Sequence, residues 1–381
     1  MNSWFTNLRS VFRLRSRFRE LVSSRGNSIH APDELDDSHY SPSVYHRYRM
    51  ENSCASFAFD GGDVRDWQER LRSKLGQLVG EMSDERIPIQ ARTLWKRDHL
   101  FGSIEKVVFS SEPYSDVPAF VCLPGNSTSP YTFFICLQGH STGMHNSIGV
   151  DRDDNTRPIE ISGDRDFGLQ CMKRGIAALC IEQRAFGERR ERIQEKVAPH
   201  GCQDAAMHAL MLGRTLLGER VFDVDRAIDY LETRGDADMD RIGVMGNSGG
   251  GTVSMYAAAL LSRIHYAMPS CSFCSFRSSI MSIYHCVDNY IPGLFRSADM
   301  SDILGLFAPK PVVIVAGQED HIFPLSGVQE AYQGLRRIYD ACGASSNCHL
   351  VVGEKGHRFY AQQAWDTMLN ELETPVIPSW S

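Results

Sequence analysis

The feature that most constrains the fold is a series of short apolar runs separated by stretches with helical periodicity. The series follows Pro124-Gly125 and comprises Thr132–Leu137, Ala177–Ile181, Ile242–Met245, His265–Met268, Pro311–Ala316 and His349–Val352. Strands that are apolar on both sides need helices over both faces, and parallel strands need helical crossovers between them. The pattern therefore predicts an α/β protein with a mostly parallel, twisted sheet between two layers of helices.

Three more strand-like runs precede this series, at about Thr93–Leu100, Ile104–Ser110 and Val117–Leu123. Short turns containing Gly, Pro, Ser or Asp separate them, and connections this short join antiparallel neighbours. The sheet is therefore predicted to have an antiparallel start. Ahead of these strands, apolar residues recur every three or four positions and predict a helix over about Asp63–Met82.

These patterns divide the chain at residue 85. Residues 1–85 are predicted to form an N-terminal extension of helix and loop, which is a candidate cap or dimer arm. Residues 86–381 are predicted to form the main α/β domain, in which the aromatic-rich segment 270–300 is a candidate cap. Residues 1–25 carry arginines at six positions against the single acid Glu20. That composition is typical of an organelle-targeting peptide, but an arm that packs on the body or on a second subunit is at least as common a role for such a segment.

A G-x-S-x-G motif points to a catalytic serine. Gly246-Asn247-Ser248-Gly249-Gly250-Gly251 joins a short strand at Arg241–Met245 to a helix of small residues at Thr252–Leu260. In this context the motif is a nucleophile elbow, a sharp turn that holds its serine in a strained conformation above the sheet. We therefore predict Ser248 as the nucleophile. The alternative is a Gly-rich turn with an incidental serine.

A second G-x-S-x-G match, Gly139-His140-Ser141-Thr142-Gly143, also follows a strand. The residues after it are polar and interrupted by glycine, so they do not form the helix that an elbow requires. The match ends the first buried strand after the antiparallel start, where this architecture has its oxyanion loop. We predict an oxyanion hole made by the backbone N–H of Gly249 and that of His140 or Ser141. For the His140 side chain, a structural role and a substrate contact both remain open.

An acid follows the strand Pro311–Ala316, at the carboxyl edge of the sheet where open α/β sheets collect their site residues. We predict Asp320 as the orienting acid, in preference to its neighbour Glu319, because the shorter side chain three residues after Gly317 is better aimed. Asp288 is a weaker alternative acid, because some relatives of this fold move that carboxylate.

A histidine follows the last predicted strand. His357 stands in the loop Gly353-Glu354-Lys355-Gly356-His357, where glycines allow the imidazole to reach over the serine. We predict His357 as the general base. The order Ser, Asp, His along the chain is the order of the α/β-hydrolases and differs from the two other common triad orders.

With these residues in place, the chain resembles the dienelactone-hydrolase-like and acetyl-xylan-esterase-like branch of the α/β-hydrolase superfamily over roughly residues 90–372. The resemblance implies hydrolysis of carboxylic esters, commonly with acetyl or other short acyl groups. The stretches that carry it are Leu137–His140, Glu182–Glu188, Met245–Gly251, Val315–Asp320 and Gly353–Phe359.

Further side chains are candidates for substrate contact. Glu182 and Arg184 end the second parallel strand, where they are expected either to form a structural ion pair or to touch the substrate. Tyr290 lies in the candidate cap and is predicted to line the pocket. Cys271 and Cys274 form a lone C-x-x-C, which we interpret as buried structural thiols, so that neither a metal nor a cofactor is expected.

The composition restricts the partners. A formal charge of −7 and a pI of about 6.0 give no general attraction to nucleic acid. An odd number of cysteines, 11, scattered through predicted core elements is typical of a reducing compartment. Because neither a transmembrane run nor a secretory signal is recognisable, we expect a cytoplasmic protein without stable membrane insertion. A small ester is the expected partner, and a homodimer is a further candidate.

Three functions remain in competition at this point. The first is an esterase that acts through an acyl-enzyme on a short or medium acyl group. The second is a hydrolase of amide or carbon–carbon bonds, and the third is a catalytically silent binding protein on the same scaffold.

Overall fold

The computed structural model describes residues 40–80, 86–193, 196–197 and 201–373. The chain divides into two compact units, Met1–Ser53 and Cys54–Ser381. In the first unit, the described residues form helix α1 (Pro42–Glu51), whose first residue is proline. Proline suits that position because the N–H it lacks would have no partner within the helix. The arginine-rich segment 1–25 lies outside the described residues, so its targeting or docking role stays a prediction.

A sheet forms the centre of the second unit and has nine strands among the described residues. Its strands are β1 (Arg92–His99), β2 (Gly102–Glu112), β3 (Ser115–Pro124), β4 (Tyr131–Leu137), β5 (Ala177–Ile181), β8 (Ala237–Asn247), β9 (Tyr266–Ser270), β10 (Val312–Gly317) and β11 (Cys348–Gly353). Their spatial order is β1-β2-β3-β5-β4-β8-β9-β10-β11. A separate short pair, β6 (Arg192–Ile193) and β7 (Lys196–Val197), is antiparallel.

The pairing of these strands confirms the predicted fold class. β1, β2, β3 and β5 are joined by antiparallel pairings, and every pairing from β5 through β4, β8, β9 and β10 to β11 is parallel. In a parallel run all strands end at the same edge. The turns that follow β4, β8, β9, β10 and β11 therefore meet at one edge of the sheet.

Helices cover both faces of the sheet, as its apolar strands require. Successive strand residues point to opposite faces: Ile135, Val244 and Ile314 pack in one cluster, whereas their neighbours Phe134, Met245 and Val313 pack in another. Within the second unit, the helices that the structure describes are α2 (Val64–Val79), α3 (Phe167–Lys173), α4 (Gln203–Met211), α5 (Leu216–Arg234), α6 (Gly249–Leu260), α7 (Met300–Gly305), α8 (Leu325–Ala341) and α9 (Ala361–Glu373).

Helix α2 was predicted from its apolar periodicity and packs against the α/β body. Asp63 caps it by accepting hydrogen bonds from the backbone N–H groups of Arg65 and Asp66, at 2.9 and 3.0 Å. Its apolar face is buried in the cluster that also contains Ile135. The helix ends at Val79 and is followed by Gly80, which adopts a φ of 94°. The second unit thus includes part of the region predicted as an extension, and the separate role proposed for residues 1–85 stays a prediction.

Among the described residues, no helix combines the length and the apolarity needed to cross a bilayer.

Candidate active site

Ser248 lies in a strained turn between β8 and α6. Its φ and ψ are 58° and −125°, values that a residue with a side chain rarely adopts. The turn is tight because strand and helix nearly touch. A Cβ on Gly250 would lie 2.0 Å from the Leu137 carbonyl oxygen, and one on Gly246 would lie 2.5 Å from the backbone of Gly250. Only glycine fits at these two positions, which agrees with the need of a nucleophile elbow for glycines around its serine.

Asp320 and His357 form a hydrogen-bonded pair in the turns after β10 and β11. The Nδ1 atom of His357 is 2.8 Å from Oδ2 of Asp320. The other carboxylate oxygen accepts the backbone N–H groups of Ile322 and Phe323, at 2.9 and 3.2 Å. Burial opposes ionisation of Asp320, but its bond to His357, the charge of that histidine and these two N–H groups outweigh burial and lower its pKa. The carboxylate is therefore held ionised and oriented toward the ring.

The two turns that carry this pair are linked to each other. The N–H of Gln318 donates to the carbonyl of Gly353 at 2.8 Å, and the N–H of Glu319 donates to the carbonyl of Lys355 at 3.1 Å. A Cβ on Gly317 would lie 2.2 Å from the carbonyl oxygen of Gly356. The side chain of Glu319, the rejected alternative acid, is exposed. The spacing of the acid and the base is thus determined by the backbones of both turns.

The loop after β4 lies against the elbow. A Cβ on Gly139 would lie 3.0 Å from the Cβ of Ser248, and the loop is closed by a 2.7 Å hydrogen bond from the Thr142 hydroxyl to the Gly139 carbonyl. Within the described part of the chain, the N–H groups of His140 and Ser141 have no backbone acceptor. Gly249 begins α6, and the first N–H groups of a helix have no partner inside it. The loop that carries His140 and Ser141 thus lies against the turn that carries Gly249, and the oxyanion hole stays a prediction.

The second G-x-S-x-G match did not show what the His140 side chain contacts. Its ring covers Gly249, where a Cβ would lie 2.9 Å from the ring atoms Cε1 and Nδ1. Its Nε2 is 3.0 Å from both oxygens of Asp288, which also accepts a 2.6 Å bond from Arg220. Burial alone would lower the pKa of His140, but its hydrogen bonds to Asp288 and Cys286 and the charge of Asp288 raise it to about 9. A positively charged imidazole thus stands beside the elbow.

Asp288 is therefore bonded to His140 and Arg220, whereas Asp320 is bonded to His357. Arg220 is almost fully buried, donates to the carbonyl of Arg184 as well, and lies over the ring of Phe186 at 4.1 Å. This partnership could not be foreseen, because Arg220 is a helical residue 68 positions from Asp288 and no motif marks it.

A pocket of about 760 Å³ lies in front of Ser248. Its lining residues include Tyr290 and His285 from the candidate cap segment, and the Tyr290 hydroxyl donates to the carbonyl of Ile280 at 3.0 Å. Neighbouring ring centroids run from His140 to His285 at 6.4 Å, from His285 to Phe323 at 6.1 Å, and from Phe323 to His357 at 6.1 Å. The two histidine–aspartate pairs are thus connected by a row of rings along the site.

Glu182 and Arg184 are not among the described residues that line the pocket, and they do not bond to each other. Glu182 accepts the backbone N–H groups of Met144 and Glu188, at 3.1 and 3.0 Å, and so ties the loop after β4 to the loop after β5. Burial raises the Glu182 pKa to about 7 against the opposing effect of these bonds. Arg184 forms ion pairs with Glu112, Glu219 and Asp223. Their contribution to substrate binding stays a prediction.

Two groups of side chains among the described residues have ligand atoms close enough to hold a metal, within 4.8 Å of one another. The first is Cys271 with Asp320 and His357. The second unites His140 and Asp288 with Cys202 and Cys286. In both groups the carboxylate already has cationic or histidine partners, and sequence analysis had not connected Cys202 with this region.

Comparisons with known proteins identify the family and the fold of this chain. A sequence model of the Abhydrolase family matches residues 45–340. YtaP of Bacillus subtilis (strain 168), provisionally named a hydrolase, is 26% identical over 293 residues, which cover 75% of this chain and 92% of YtaP. The "Carbohydrate esterase MZ0003" of an unknown prokaryotic organism is 27% identical over 139 residues, 32% of each chain.

Solved structures share the fold. A Bacteroides fragilis protein provisionally named an acetyl xylan esterase superposes with a TM-score of 0.68 at 17% identity, covering 89% of this chain and 86% of that one. A glucuronoyl esterase from Solibacter usitatus superposes with a TM-score of 0.60 at 14% identity, covering 84% and 96%.

Proposed function

The chain belongs to the Abhydrolase family, and on this premise we propose that it is a serine hydrolase that cleaves carboxylic esters with a short or medium acyl group. The observation that carries the proposal is the strained elbow conformation of Ser248 at the same sheet edge as the bonded pair Asp320 and His357. A nucleophile after β8, an orienting acid after β10 and a base after β11 are the parts that acyl transfer requires, carried by one edge of the sheet.

In the proposed mechanism, Nε2 of His357 takes the Ser248 proton while Oγ of Ser248 attacks the ester carbonyl. Asp320 fixes the tautomer of His357 and stabilises the imidazolium. The N–H groups of Gly249 and of His140 or Ser141 stabilise the oxyanion, and one such donor typically contributes about 10²–10³ in rate. The imidazolium then protonates the leaving alcohol. Water, deprotonated by the same histidine, hydrolyses the acyl-enzyme and regenerates the serine.

The pocket favours a polar alcohol portion in the ester. Side chains that can hydrogen-bond to hydroxyl groups line the same pocket as Ser248, among them His145, Asp151, Arg152 and Tyr284. Relatives named as a carbohydrate esterase and as an acetyl xylan esterase support the same direction. We therefore propose acylated sugars, or other acylated polyols, as the substrate class.

The test combines an ester substrate with an active-site label. Purified protein is incubated with p-nitrophenyl acetate and, separately, with a fluorophosphonate probe. We expect turnover and labelling of one residue, and both should be lost in Ser248→Ala because the nucleophile is gone. Acetylated xylo-oligosaccharides then test the proposed substrate class against p-nitrophenyl esters of longer acyl chains.

Ser141→Ala is the matched control, because Ser141 is the serine of the second G-x-S-x-G match and its backbone N–H survives the substitution. It should retain the label. Labelling of the wild type without ester turnover would favour an amide or carbon–carbon bond hydrolase. If neither the wild type nor Ser141→Ala is labelled, a binding protein would be favoured.

A further inference from the structure

Two cysteines from distant parts of the chain meet in the pocket wall. The Sγ atoms of Cys202 and Cys286 are 2.6 Å apart, and both residues line the pocket in front of Ser248. Cys202 immediately precedes helix α4, and Cys286 precedes the short turn that contains Asp288. Both are free thiols. Only a small shift separates them from the roughly 2.05 Å of a disulfide bond.

A cationic side chain acts on each of the two sulfurs. Either sulfur can donate the hydrogen bond that joins them. This bond and the charge of Arg220 lower the pKa of the Cys202 thiol against burial and the charge of Asp288. The bond to Cys202 and burial raise the pKa of Cys286, whereas the hydrogen bond to His140 opposes that rise. A thiolate beside a cationic group, accessible from a pocket, is the usual setting of a reactive cysteine. Either sulfur can therefore act as the nucleophile, with the other as the resolving sulfur.

Other thiols in this chain lack these properties. Cys122, Cys136, Cys171 and Cys180 are close to one another, but all four are fully buried in the core between the sheet and helices α3 and α9. None of them lines the pocket described above. Buried structural thiols of this kind are chemically inert. They provide an internal comparison for any reaction at the pocket pair.

A metal ion fits this cluster less well than a covalent bond. Asp288, the carboxylate that would complete a tetrahedral set with His140 and the two thiols, already accepts a 2.6 Å bond from the buried guanidinium of Arg220. A divalent cation would stand beside that fixed positive charge and beside an imidazole that must first lose its proton. The disulfide needs none of these changes.

We propose that Cys202 and Cys286 form a reversible disulfide in the pocket wall, with a small hydroperoxide as the oxidant. The thiolate of one cysteine attacks the peroxide oxygen and becomes a sulfenic acid, and the released hydroxide is protonated to water. The sulfur of the other cysteine then attacks the sulfenic sulfur and displaces the hydroxyl group, which leaves with the thiol proton as a second water. Two thiols lose two electrons and two protons, hydrogen peroxide is reduced to two waters, and a dithiol reverses the reaction.

The experiment measures covalent chemistry and so does not depend on the hydrolase assignment. Full-length protein carrying Cys54→Ser, which removes an exposed thiol, is treated with hydrogen peroxide, alkylated under denaturing conditions and mapped by mass spectrometry. We expect the loss of two alkylatable thiols per chain and a linked peptide that joins Cys202 to Cys286. Dithiothreitol should restore both thiols.

Three variants in the same background sharpen the result. Cys202→Ser and Cys286→Ser should each abolish the linked peptide, whereas Cys348→Ser, at a buried thiol away from the pocket, should leave it unchanged. Circular dichroism establishes that each variant is folded. The proposal is overturned if peroxide oxidises either cysteine only to sulfenic or sulfinic acid without the link. It is also overturned if the reduced protein binds one equivalent of Zn²⁺ that Cys202→Ser releases.

Discussion

Asp320→Asn and Asp288→Asn remove one carboxylate each from the same edge of the sheet, and we expect them to damage different properties of the protein. Asp320 is bonded to His357, whereas Asp288 lies between His140 and the buried Arg220. Sequence analysis left both residues as candidates for the acid of the proposed triad. A comparison of the two variants therefore tests the assignment directly.

Asp320→Asn should reduce kcat. An amide at this position offers its N–H₂ to Nδ1 of His357 and favours the wrong tautomer, a change that costs about 10⁴ in kcat in a serine protease triad. The amide oxygen can still accept the N–H groups of Ile322 and Phe323 that bond to Asp320 now. The loss of stability should therefore remain near 1 kcal/mol, the size of one altered hydrogen bond.

Asp288→Asn should mainly reduce stability. The Arg220 side chain is 2% exposed, and without its anion it becomes a buried charge lacking an ionic partner. Breaking a buried pair in this way costs about 3–5 kcal/mol. For a domain of this size each kcal/mol lowers Tm by roughly 2 °C, which gives a decrease of roughly 6–10 °C. Because the base and its acid remain in place, kcat should fall far less than in Asp320→Asn.

The assay measures kcat with p-nitrophenyl acetate and Tm by circular dichroism for wild type and both variants. Glu319→Gln is the matched control, because it neutralises an exposed carboxylate next to Asp320 and should change neither quantity. If Asp288→Asn lowers kcat as much as Asp320→Asn does, and its Tm is unchanged, the assignment of the acid is wrong.

The remaining predictions concern the supports of the site. Gly249→Ala places a methyl group 2.9 Å from the His140 ring, so kcat/KM should fall at least tenfold with the fold retained on circular dichroism, and unchanged kinetics would contradict the described contact. The pKa of Glu182 is about 7 in the folded protein, against an ordinary value of 4.5. Its contribution to the unfolding free energy is therefore fully present below pH 4.5 and is lost as the pH rises through 7. The unfolding free energy of wild type relative to Glu182→Gln, from urea titrations, should fall by about 3 kcal/mol across that range at about 1.4 kcal/mol per unit; a constant difference would refute this. Arg184→Met leaves Asp223 short of one cation and should cost about 3 kcal/mol of unfolding free energy, while a loss of activity without a loss of stability would instead indicate substrate contact.

The sequence predicted those parts of the molecule that depend on local pattern. The buried strands were recognisable because a run of apolar residues can be read from the sequence without knowing which strands lie beside it. The turns of Ser248, Asp320 and His357 were marked by the glycines that each turn requires. The antiparallel start followed from short connections. Helix α2 was recognised as a helix, but what its apolar face packs against could not be foreseen, because periodicity does not identify the partner surface.

Contacts between distant segments were beyond such reasoning. Glu182 and Arg184 were interpreted as neighbours that pair with each other, yet β5 lies between β3 and β4, and this strand order gives each of them different partners. Likewise, the approach of Cys202 to Cys286 depends on how α4 packs beside the turn of Asp288. The local sequence does not show the strand order or the helix packing that brings segments so far apart in the chain into contact.

The linked turns after β10 and β11 have a consequence for how this protein can vary. Because the backbones at Gly317 and Gly356 leave no room for a side chain between them, lengthening either turn would move the carboxylate and the imidazole out of alignment simultaneously. The two turns should therefore be inherited and exchanged as a single cassette. A chimera that transplants only one of them from a relative with a different loop length would be expected to lose the pair, whereas one that transplants both would keep it.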